Sequence, residues 1–360
     1  MKRFVAVIVA FSLLVMVLFS CTNSEGAKQR SGDIDTELSE KISIVCTIFP
    51  QYDWVMEIIG DLADSFDVTL LLGSRIDLHN YQPTVDDIVN ISTGDLFIYV
   101  GGQSDVWVED ALSQAVNERL VVINLLEVLG EGAKIEEIIE GMEHIHEDDH
   151  EDEYDHDDEY DHVDEYDQED EHDHEDEHDH VDEYDEHVWL SLKNAQILCA
   201  AIANSIAAID PENSDAYHNN LAMYIAKLSD LDARYHVAMG DAQVNTLLFG
   251  DRFPFRYLLD DYGINYFAAF PGCSAETEAS FETIIFLVGK VDELDLKCIL
   301  VTESADLAIA STISENTRDQ NQAILVLDSI QTVSADDIAA GITYLELMER
   351  NLDVLITALS

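Results

Sequence analysis

The stretch from residue 143 to residue 187 most limits how this chain can fold. Its 45 residues hold 27 Asp or Glu, no Lys or Arg, and ten of the 13 histidines of the chain. A segment with so few apolar side chains and so many like charges cannot form a packed core. The sequence therefore predicts a disordered insertion over residues 143–186, with ordinary globular sequence on both sides of it.

The insertion nevertheless has a definite ligand chemistry. Imidazole nitrogens and carboxylate oxygens are ligands that Zn²⁺ and similar divalent ions take in proteins. The pattern indicates either a weak, flexible metal collector or a solvated acidic linker. The ten histidines are His144, His146, His150, His156, His162, His172, His174, His178, His180 and His187.

The net charge of the whole chain limits which kinds of molecule it can bind. The formal net charge is −58, and outside the insertion 48 acidic residues still face 17 basic ones. Such a surface argues against nucleic acid and against electrostatic docking on anionic lipid. It favours a cationic ligand.

The N-terminus predicts export from the cytoplasm. A basic start at Lys2 and Arg3 precedes an apolar run, which indicates a signal peptide over residues 1–20. The sequence LFSC at residues 18–21 resembles a lipobox, so we expect lipidation at Cys21 and a polar tether over residues 21–40. The alternative is a simple transmembrane anchor. Both place the body outside the cytoplasmic membrane, and we expect membrane contact only through the anchor.

Residues 41–142 alternate between strand and helix patterns. This rhythm predicts an α/β lobe with a mainly parallel sheet. Ligands bind beyond the carboxyl ends of such strands, and His79 lies in the loop after the second predicted strand. The predicted strands are 42–49, 68–72, 96–100 and 120–125, and the predicted helices are 52–62, 84–91 and 107–117.

Residues 187–240 contain one unusually long helix pattern, and residues 241–360 repeat the α/β rhythm. The long helix begins near Asp210-Pro211 and runs to Met239 without a breaker, so it could join two lobes as a strut. Beyond it the predicted strands are 246–249, 264–270, 298–302 and 323–327, and the predicted helices are 255–261, 276–288 and 336–359. The strand ends and following loops place six polar side chains on the rim: Asp251, Arg252, Cys273, Glu276, Glu303 and Asp328.

The cysteines other than Cys21 divide into two kinds. Cys46, Cys199 and Cys298 lie inside apolar runs and are predicted to be buried thiols. Cys273 lies between Gly and Ser in a loop. No two cysteines have the CxxC spacing of a zinc ribbon or a redox pair.

Two motifs resemble the signatures of the zinc/manganese-type solute-binding lipoproteins of ATP-binding-cassette importers. The first is HNYQPT at residues 79–84, followed by DLFIYVG at residues 95–101. The second is EHVWLS at residues 186–191 with NA at 194–195, where Leu192 replaces the usual Pro. Zinc-binding members commonly have a His-rich loop directly before the second signature, where this insertion lies. The resemblance covers roughly residues 41–360.

The resemblance implies a fold and a ligand set. It implies two α/β lobes joined by the long helix, with four metal ligands in the cleft between them. The first two ligands match His79 and His187, and a carboxylate after a late strand matches Asp328. The remaining slot, normally His or Glu, is occupied by Arg252, whose guanidinium offers only donors and stays charged.

Another residue of the rim can take the place of the missing ligand, or water can. Cys273, Glu276 and Asp251 are candidates by position. A thiolate ligand would favour Zn²⁺ over Mn²⁺. For Glu276 the alternative is an acidic residue in the first turn of a helix.

We therefore expect a monomeric binding protein that captures Zn²⁺ outside the cell and delivers it to the permease of an importer, without catalysis. A manganese-binding importer subunit is the first alternative, although the His-rich insertion favours zinc. A secreted zinc hydrolase is less favoured, because it needs an open metal position and a general base. An adhesin-like surface role is compatible with the same sequence.

Overall fold

Two four-stranded parallel sheets organise the part of the chain that the computed structural model describes, which is residues 41–73, 76–142, 183–273 and 279–360. The predicted signal peptide, the tether with Cys21, residues 143–182 of the insertion and Glu276 lie outside the described residues. The lipidation and the disorder expected there stay predictions.

The first sheet is built from strands β1 (Ile42–Cys46), β2 (Phe66–Leu70), β3 (Leu96–Tyr99) and β4 (Val121–Asn124). Neighbouring strands are parallel, and their order across the sheet is β2-β1-β3-β4. Ile44, Val45 and Cys46 are fully buried, as expected for a sheet that is covered on both faces. The helices of this half are α1 (Phe49–Ile59), α2 (Val85–Thr93), α3 (Trp107–Ser113), α4 (Leu125–Leu129), α5 (Leu192–Ile209) and α6 (Ser214–Gly240).

The second sheet is built from β5 (Thr246–Phe253), β6 (Asn265–Pro271), β7 (Cys298–Val301) and β8 (Ala323–Val326). It is also parallel, and its order is β6-β5-β7-β8. The prediction of two lobes, each with a mainly parallel sheet flanked by helices, is confirmed. The helices of this half are α7 (Arg256–Tyr262), α8 (Phe281–Leu294), α9 (Ala308–Asn316), α10 (Ala335–Ala339) and α11 (Tyr344–Ala358).

Helix α6 joins the two lobes as the sequence predicts. Toward its start, the Asn220 side chain donates a hydrogen bond to the Ile58 carbonyl of α1 at 2.9 Å. Toward its end, the Tyr235 hydroxyl donates to the Met348 carbonyl of α11 at 2.6 Å. One apolar core runs along α6 from the first lobe into the second. The lobes are therefore connected by continuous packing as well as by the chain.

Helix α5 has the length and composition of a membrane span, with a mean hydropathy of 1.3 over 18 residues. It packs against α1, α4 and α6, and Leu198, Cys199 and Ile202 on its inner face are fully buried. This contact pattern is that of a helix inside an apolar core.

Two predictions about helices of the second half were wrong in detail, and one helix was missed. The closing helix is interrupted between α10 and α11, where Gly341 has φ +88°, a backbone conformation outside the helical region. Helix α9 was not predicted, because four of its nine residues, AIASTISEN, are Ser, Thr or Asn, which have low helix propensity. Helix α8 begins later than predicted, since the Ser280 hydroxyl caps it by accepting from Thr283 N. The predicted burial of Cys46, Cys199 and Cys298 is confirmed.

The two chain segments that flank the acidic insertion lie side by side. Ile135 and Tyr184 form an antiparallel bridge, and Glu136 N donates to the Glu183 carbonyl at 2.7 Å. The outgoing segment also packs on the second lobe, where Lys134 pairs with Asp260 at 2.6 Å. The base of the insertion is thus fixed next to the cleft.

Candidate metal centre

His79 lies in a short 3₁₀ turn, Leu78–Asn80, in the loop after β2. Leu78 is fully buried and anchors the turn. Asp77 caps it, since its Oδ1 accepts a hydrogen bond from His79 N at 3.0 Å. The imidazole Nδ1 faces Ser104 Oγ at 2.7 Å and Glu186 Oε2 at 3.4 Å. These contacts aim His79 Nε2 into the cleft.

His187 is fully buried at the start of the turn that precedes α5. Its backbone N and its ring Nδ1 both lie 2.9 Å from Asp185 Oδ1. Burial opposes protonation of the ring, but Asp185, with Glu186 and Glu136, raises the pKa of His187 above its ordinary value. A carboxylate behind Nδ1 fixes a metal-binding imidazole so that Nε2 points forward.

The Trp189 ring packs beside the His187 ring, and the two ring centroids are 5.3 Å apart. The Trp189 indole donates to the Ser329 carbonyl of the second lobe at 2.8 Å. The Tyr344 hydroxyl of α11 donates to the Trp189 carbonyl at 2.6 Å. The backbone that bears His187 is therefore tied to the second lobe.

The two imidazoles face each other, with His79 Nε2 and His187 Nε2 3.3 Å apart. Asp185 beside Nδ1 of His187 and Glu186 near Nδ1 of His79 favour a proton on Nδ1 in both rings, which leaves two Nε2 lone pairs facing each other. Such a pair needs a proton or a cation between the rings. Two nitrogen ligands of a tetrahedral Zn²⁺, at roughly 2.0–2.1 Å each, are themselves about 3.3 Å apart.

Cys273 adds a third ligand atom from the second lobe. Of the described side chains, those of His79, His187 and Cys273 form a group whose ligand atoms all lie within 4.8 Å of one another. Cys273 N donates to Glu136 Oε1 at 2.9 Å, which ties the loop after β6 to the segment before the insertion. Burial, with Glu136, Glu186 and Asp185 nearby, raises the pKa of the Cys273 thiol well above its ordinary value. A bound cation reverses that effect, because metal-bound cysteine is a thiolate.

Arg252, in the slot where the resemblance implies a ligand, is used differently. Its Nη2 lies 2.7 Å from Asp77 Oδ2. Burial opposes ionisation of Asp77, but Arg252 and His79 hold the pKa of that carboxyl below its usual value. Arg252 therefore contacts the turn that bears His79 indirectly, through the carboxylate of Asp77.

The structure does not bring the predicted carboxylate ligand, Asp328, into the group of three. Asp328 follows β8, and its Oδ1 accepts a hydrogen bond from Ile330 N at 2.7 Å. Burial and the nearby Glu303 raise the pKa of Asp328 to about 6. Both carboxylates line a cavity of about 380 Å³ in the second lobe. Asp251 likewise accepts from Thr302 N at 3.0 Å and stays outside the group.

Four residues of this site were missed from the sequence: Ser104, Glu136, Asp185 and Glu186. Asp185 and Glu186 lie in the last part of the acidic insertion, where composition hides them among many other carboxylates. Their positions directly before His187 are the signal that could have found them. Ser104 and Glu136 have no comparable signal, since only the fold brings them to the ligands.

Two lobes of parallel sheet with a His, His and Cys cluster between them define a solute-binding protein for a metal ion. The sequence matches the family ZnuA, described as "Zinc-uptake complex component A periplasmic", over residues 44–358. The chain belongs to this family, so the resemblance found in its motifs is confirmed.

Two relatives and one solved structure illustrate the similarity. The high-affinity zinc uptake system protein ZnuA of Bacillus subtilis is 30% identical over 348 residues, which cover 97% of this chain and 95% of the relative. The zinc-binding lipoprotein AdcA of Streptococcus pneumoniae is 27% identical over 96% of this chain, which spans 59% of that protein. The metal-dependent lipoprotein YcdH from Bacillus subtilis superposes with a TM-score of 0.66 at 26% identity, over 89% of this chain and 100% of that chain.

Proposed function

We propose that this chain captures Zn²⁺ outside the cytoplasm in the cleft between its lobes and delivers it to the permease of an ATP-binding-cassette importer. His79, His187 and Cys273 are the proposed protein ligands. The observation that supports them is the 3.3 Å separation of the two Nε2 atoms, with Cys273 Sγ in the same group. Membership of a zinc-uptake family supports the cargo.

The ligand set favours Zn²⁺ over Mn²⁺. Two imidazoles and a thiolate are softer ligands than the oxygen-rich sets that suit Mn²⁺. The site also holds the metal between one buried and two partly buried side chains, and we infer that it has no catalytic role. A hydrolase would need a metal position open to substrate and a general base beside it.

A fourth ligand completes a tetrahedral site, and two carboxylates are the candidates. Asp328 follows β8, at the same carboxyl end of the second sheet from which the Cys273 loop starts. Glu276 lies in that loop by sequence. Zinc titrations of Asp328→Asn and Glu276→Gln in the full chain distinguish them. The variant with the larger loss of affinity identifies the ligand, and two unchanged affinities assign the position to water.

Competition titration tests the proposed site and the choice of metal. The full chain is titrated with Zn²⁺ and Mn²⁺ in the presence of a chromophoric chelator, and the same is done for His79→Ala and Cys273→Ser. We expect tight zinc binding that both substitutions weaken, and a smaller preference for zinc in Cys273→Ser. His236→Ala is the matched control, since His236 is half exposed on α6. Unchanged zinc affinity in both cleft variants would contradict the assignment.

The insertion and the N-terminus have supporting roles in this proposal. We propose that residues 143–182 collect zinc weakly near the cleft, whereas Asp185 and Glu186, predicted to be disordered with them, are buried in the folded body. We also propose that a lipid on Cys21 anchors a monomeric protein to the outer face of the membrane. Deleting residues 144–180 should leave the cleft affinity unchanged and reduce both zinc stoichiometry and uptake at low zinc. A deletion without effect on stoichiometry or uptake makes the insertion only a linker.

A further inference from the structure

An ion pair between Arg252 and Asp77 crosses from one lobe to the other. Arg252 belongs to β5 of the second lobe, and Asp77 to the loop after β2 of the first. Arg252 Nη2 lies 2.7 Å from Asp77 Oδ2, with 19% and 15% of the two side chains exposed. A charge-assisted hydrogen bond shielded in this way is stronger than an ion pair on the open surface.

The two oxygens of Asp77 serve two different partners. Oδ2 meets the guanidinium of Arg252, while Oδ1 accepts the hydrogen bond from His79 N at 3.0 Å. One carboxylate therefore connects a strand of the second lobe to the backbone of a proposed zinc ligand. A shift of Arg252 moves the cap of the turn on which His79 lies.

A cavity adjoins the pair between the two lobes. Beside it is a cavity of about 210 Å³, lined by Asp77 and Asn80 from the first lobe and by β5 and the start of α9 from the second. Close apolar packing does not fill this part of the interface. The same loop is held at its other end, where Ala335 N donates to the Gly73 carbonyl at 2.9 Å.

The chemistry of Arg252 suits a link of this kind and excludes ligation. A guanidinium has no lone pair for a metal. Left without a counter-charge near the cleft it would repel Zn²⁺, but Asp77 neutralises it at 2.7 Å. The pair can thus join the lobes whether or not metal is present.

We propose that the Arg252–Asp77 pair is a latch between the lobes that positions His79 and slows the release of zinc. Arg252 is a positioning residue in this scheme and never touches the metal. The proposal rests on the zinc site proposed above and adds to it a contact that does not depend on the metal.

A double-mutant cycle on the full chain tests the latch. Asp77→Asn keeps an oxygen that can cap His79 N and removes the charge, while Arg252→Gln removes the other charge. Zinc dissociation into excess EDTA should accelerate roughly tenfold in each single variant and no further in the double variant, because both remove one interaction. Arg256→Gln is the matched control, since Arg256 pairs with Glu137 and Asp260 and does not contact the His79 turn.

Hydrogen exchange separates positioning from general destabilisation. In metal-free protein, the amides of residues 77–80 should lose protection in Arg252→Gln while the amides of α6 keep theirs. Wild-type dissociation rates in both single variants, or additive effects in the double variant, would overturn the latch. A wild-type chain without zinc in the cleft would instead remove the proposed function, and the exchange of residues 77–80 would still report on the latch.

Discussion

The two lobes have the same sheet order and contribute differently to the metal centre. The first lobe and the turn before α5 present two imidazoles, each held from behind by a carboxylate: Glu186 for His79, and Asp185 for His187. The second lobe presents one thiol on a loop, held through its backbone by Glu136. Arg252 of the same lobe pairs with Asp77 of the first lobe.

This difference indicates a division between recognition and closure. The first lobe has a half-site whose two Nε2 atoms are already at the spacing of a tetrahedral zinc ion. Little reorganisation is then needed when the metal arrives, which favours affinity. In our proposal the second lobe adds Cys273 as a ligand and contacts the first lobe through Arg252, so it influences how long the metal stays bound.

The largest expected loss of zinc affinity comes from removing one proposed ligand from each lobe in separate variants. Structural zinc sites bind with about 10–16 kcal/mol shared by four ligands, so one ligand is worth roughly 3 kcal/mol, or about a hundredfold in affinity. We expect His187→Ala to lose at least this factor in equilibrium titration with Zn²⁺. Cys273→Ala should lose less affinity and should release zinc faster. A larger affinity loss in Cys273→Ala would reverse the proposed division.

A smaller effect is expected from the carboxylate behind His187. Asp185→Asn keeps an oxygen for His187 N and Nδ1 and removes only the charge, so we expect zinc affinity to fall about tenfold. Asp185→Ala removes the hydrogen bonds as well, and its loss should approach about a hundredfold. Isothermal titration on both variants measures the difference. Equal affinities for Asp185→Ala and the wild-type chain would show that the half-site does not depend on this support.

Substitution of Gly102 tests the support that Glu186 gives to His79. Gly102 has φ +83°, and a Cβ there would overlap the carboxylate of Glu186, which accepts from Ser104 N and faces His79. We expect Gly102→Ala to lower zinc affinity about fivefold and stability by about 1–2 kcal/mol. Gly130→Ala is the control, since Gly130 has φ +51° and open space around its Cβ position. An equal loss of zinc affinity in both variants would contradict a specific role for Glu186.

The smallest effect on zinc is expected at Asp53, which links the lobes away from the cleft. Asp53 is buried, accepts from Tyr344 N at 3.0 Å, and burial raises its pKa to about 7. The folded chain then holds a proton that the unfolded chain has released, so stability falls as the pH rises from about 4 to about 7, by on the order of 4 kcal/mol.

Asp53→Asn should remove that decline and leave zinc affinity unchanged. Chemical denaturation of the metal-free protein at pH 5 and pH 8 measures both variants. Asp53→Ala is the control, because it also removes the acceptor for Tyr344 N and should be destabilised at both pH values. A decline of the same size in Asp53→Asn and the wild-type chain would assign the pH dependence to other groups.

The fold was more predictable than the ligand set. Alternating strand and helix patterns predicted both parallel sheets, because buried β-branched runs and helix starts are local signals. The same logic placed His79 and Cys273 on sheet edges, but their approach to within 4.8 Å depends on how two lobes pack. Asp328 also follows a strand, and a local hydrogen bond from Ile330 N turns its carboxylate into a different cavity. Asp commonly forms such a local turn, but the sequence does not show which cavity the turn faces.

The bridge between Ile135 and Tyr184 has a consequence for how such a chain can change over time. It holds the chain segments before and after the acidic insertion together beside the cleft, whatever the length of the chain between them. The entropy of closing a loop rises only slowly with its length. Residues can therefore be gained or lost between Met142 and Glu183 at little cost to the folded body. The number of histidines there can therefore change while the geometry of His79 and His187 stays the same.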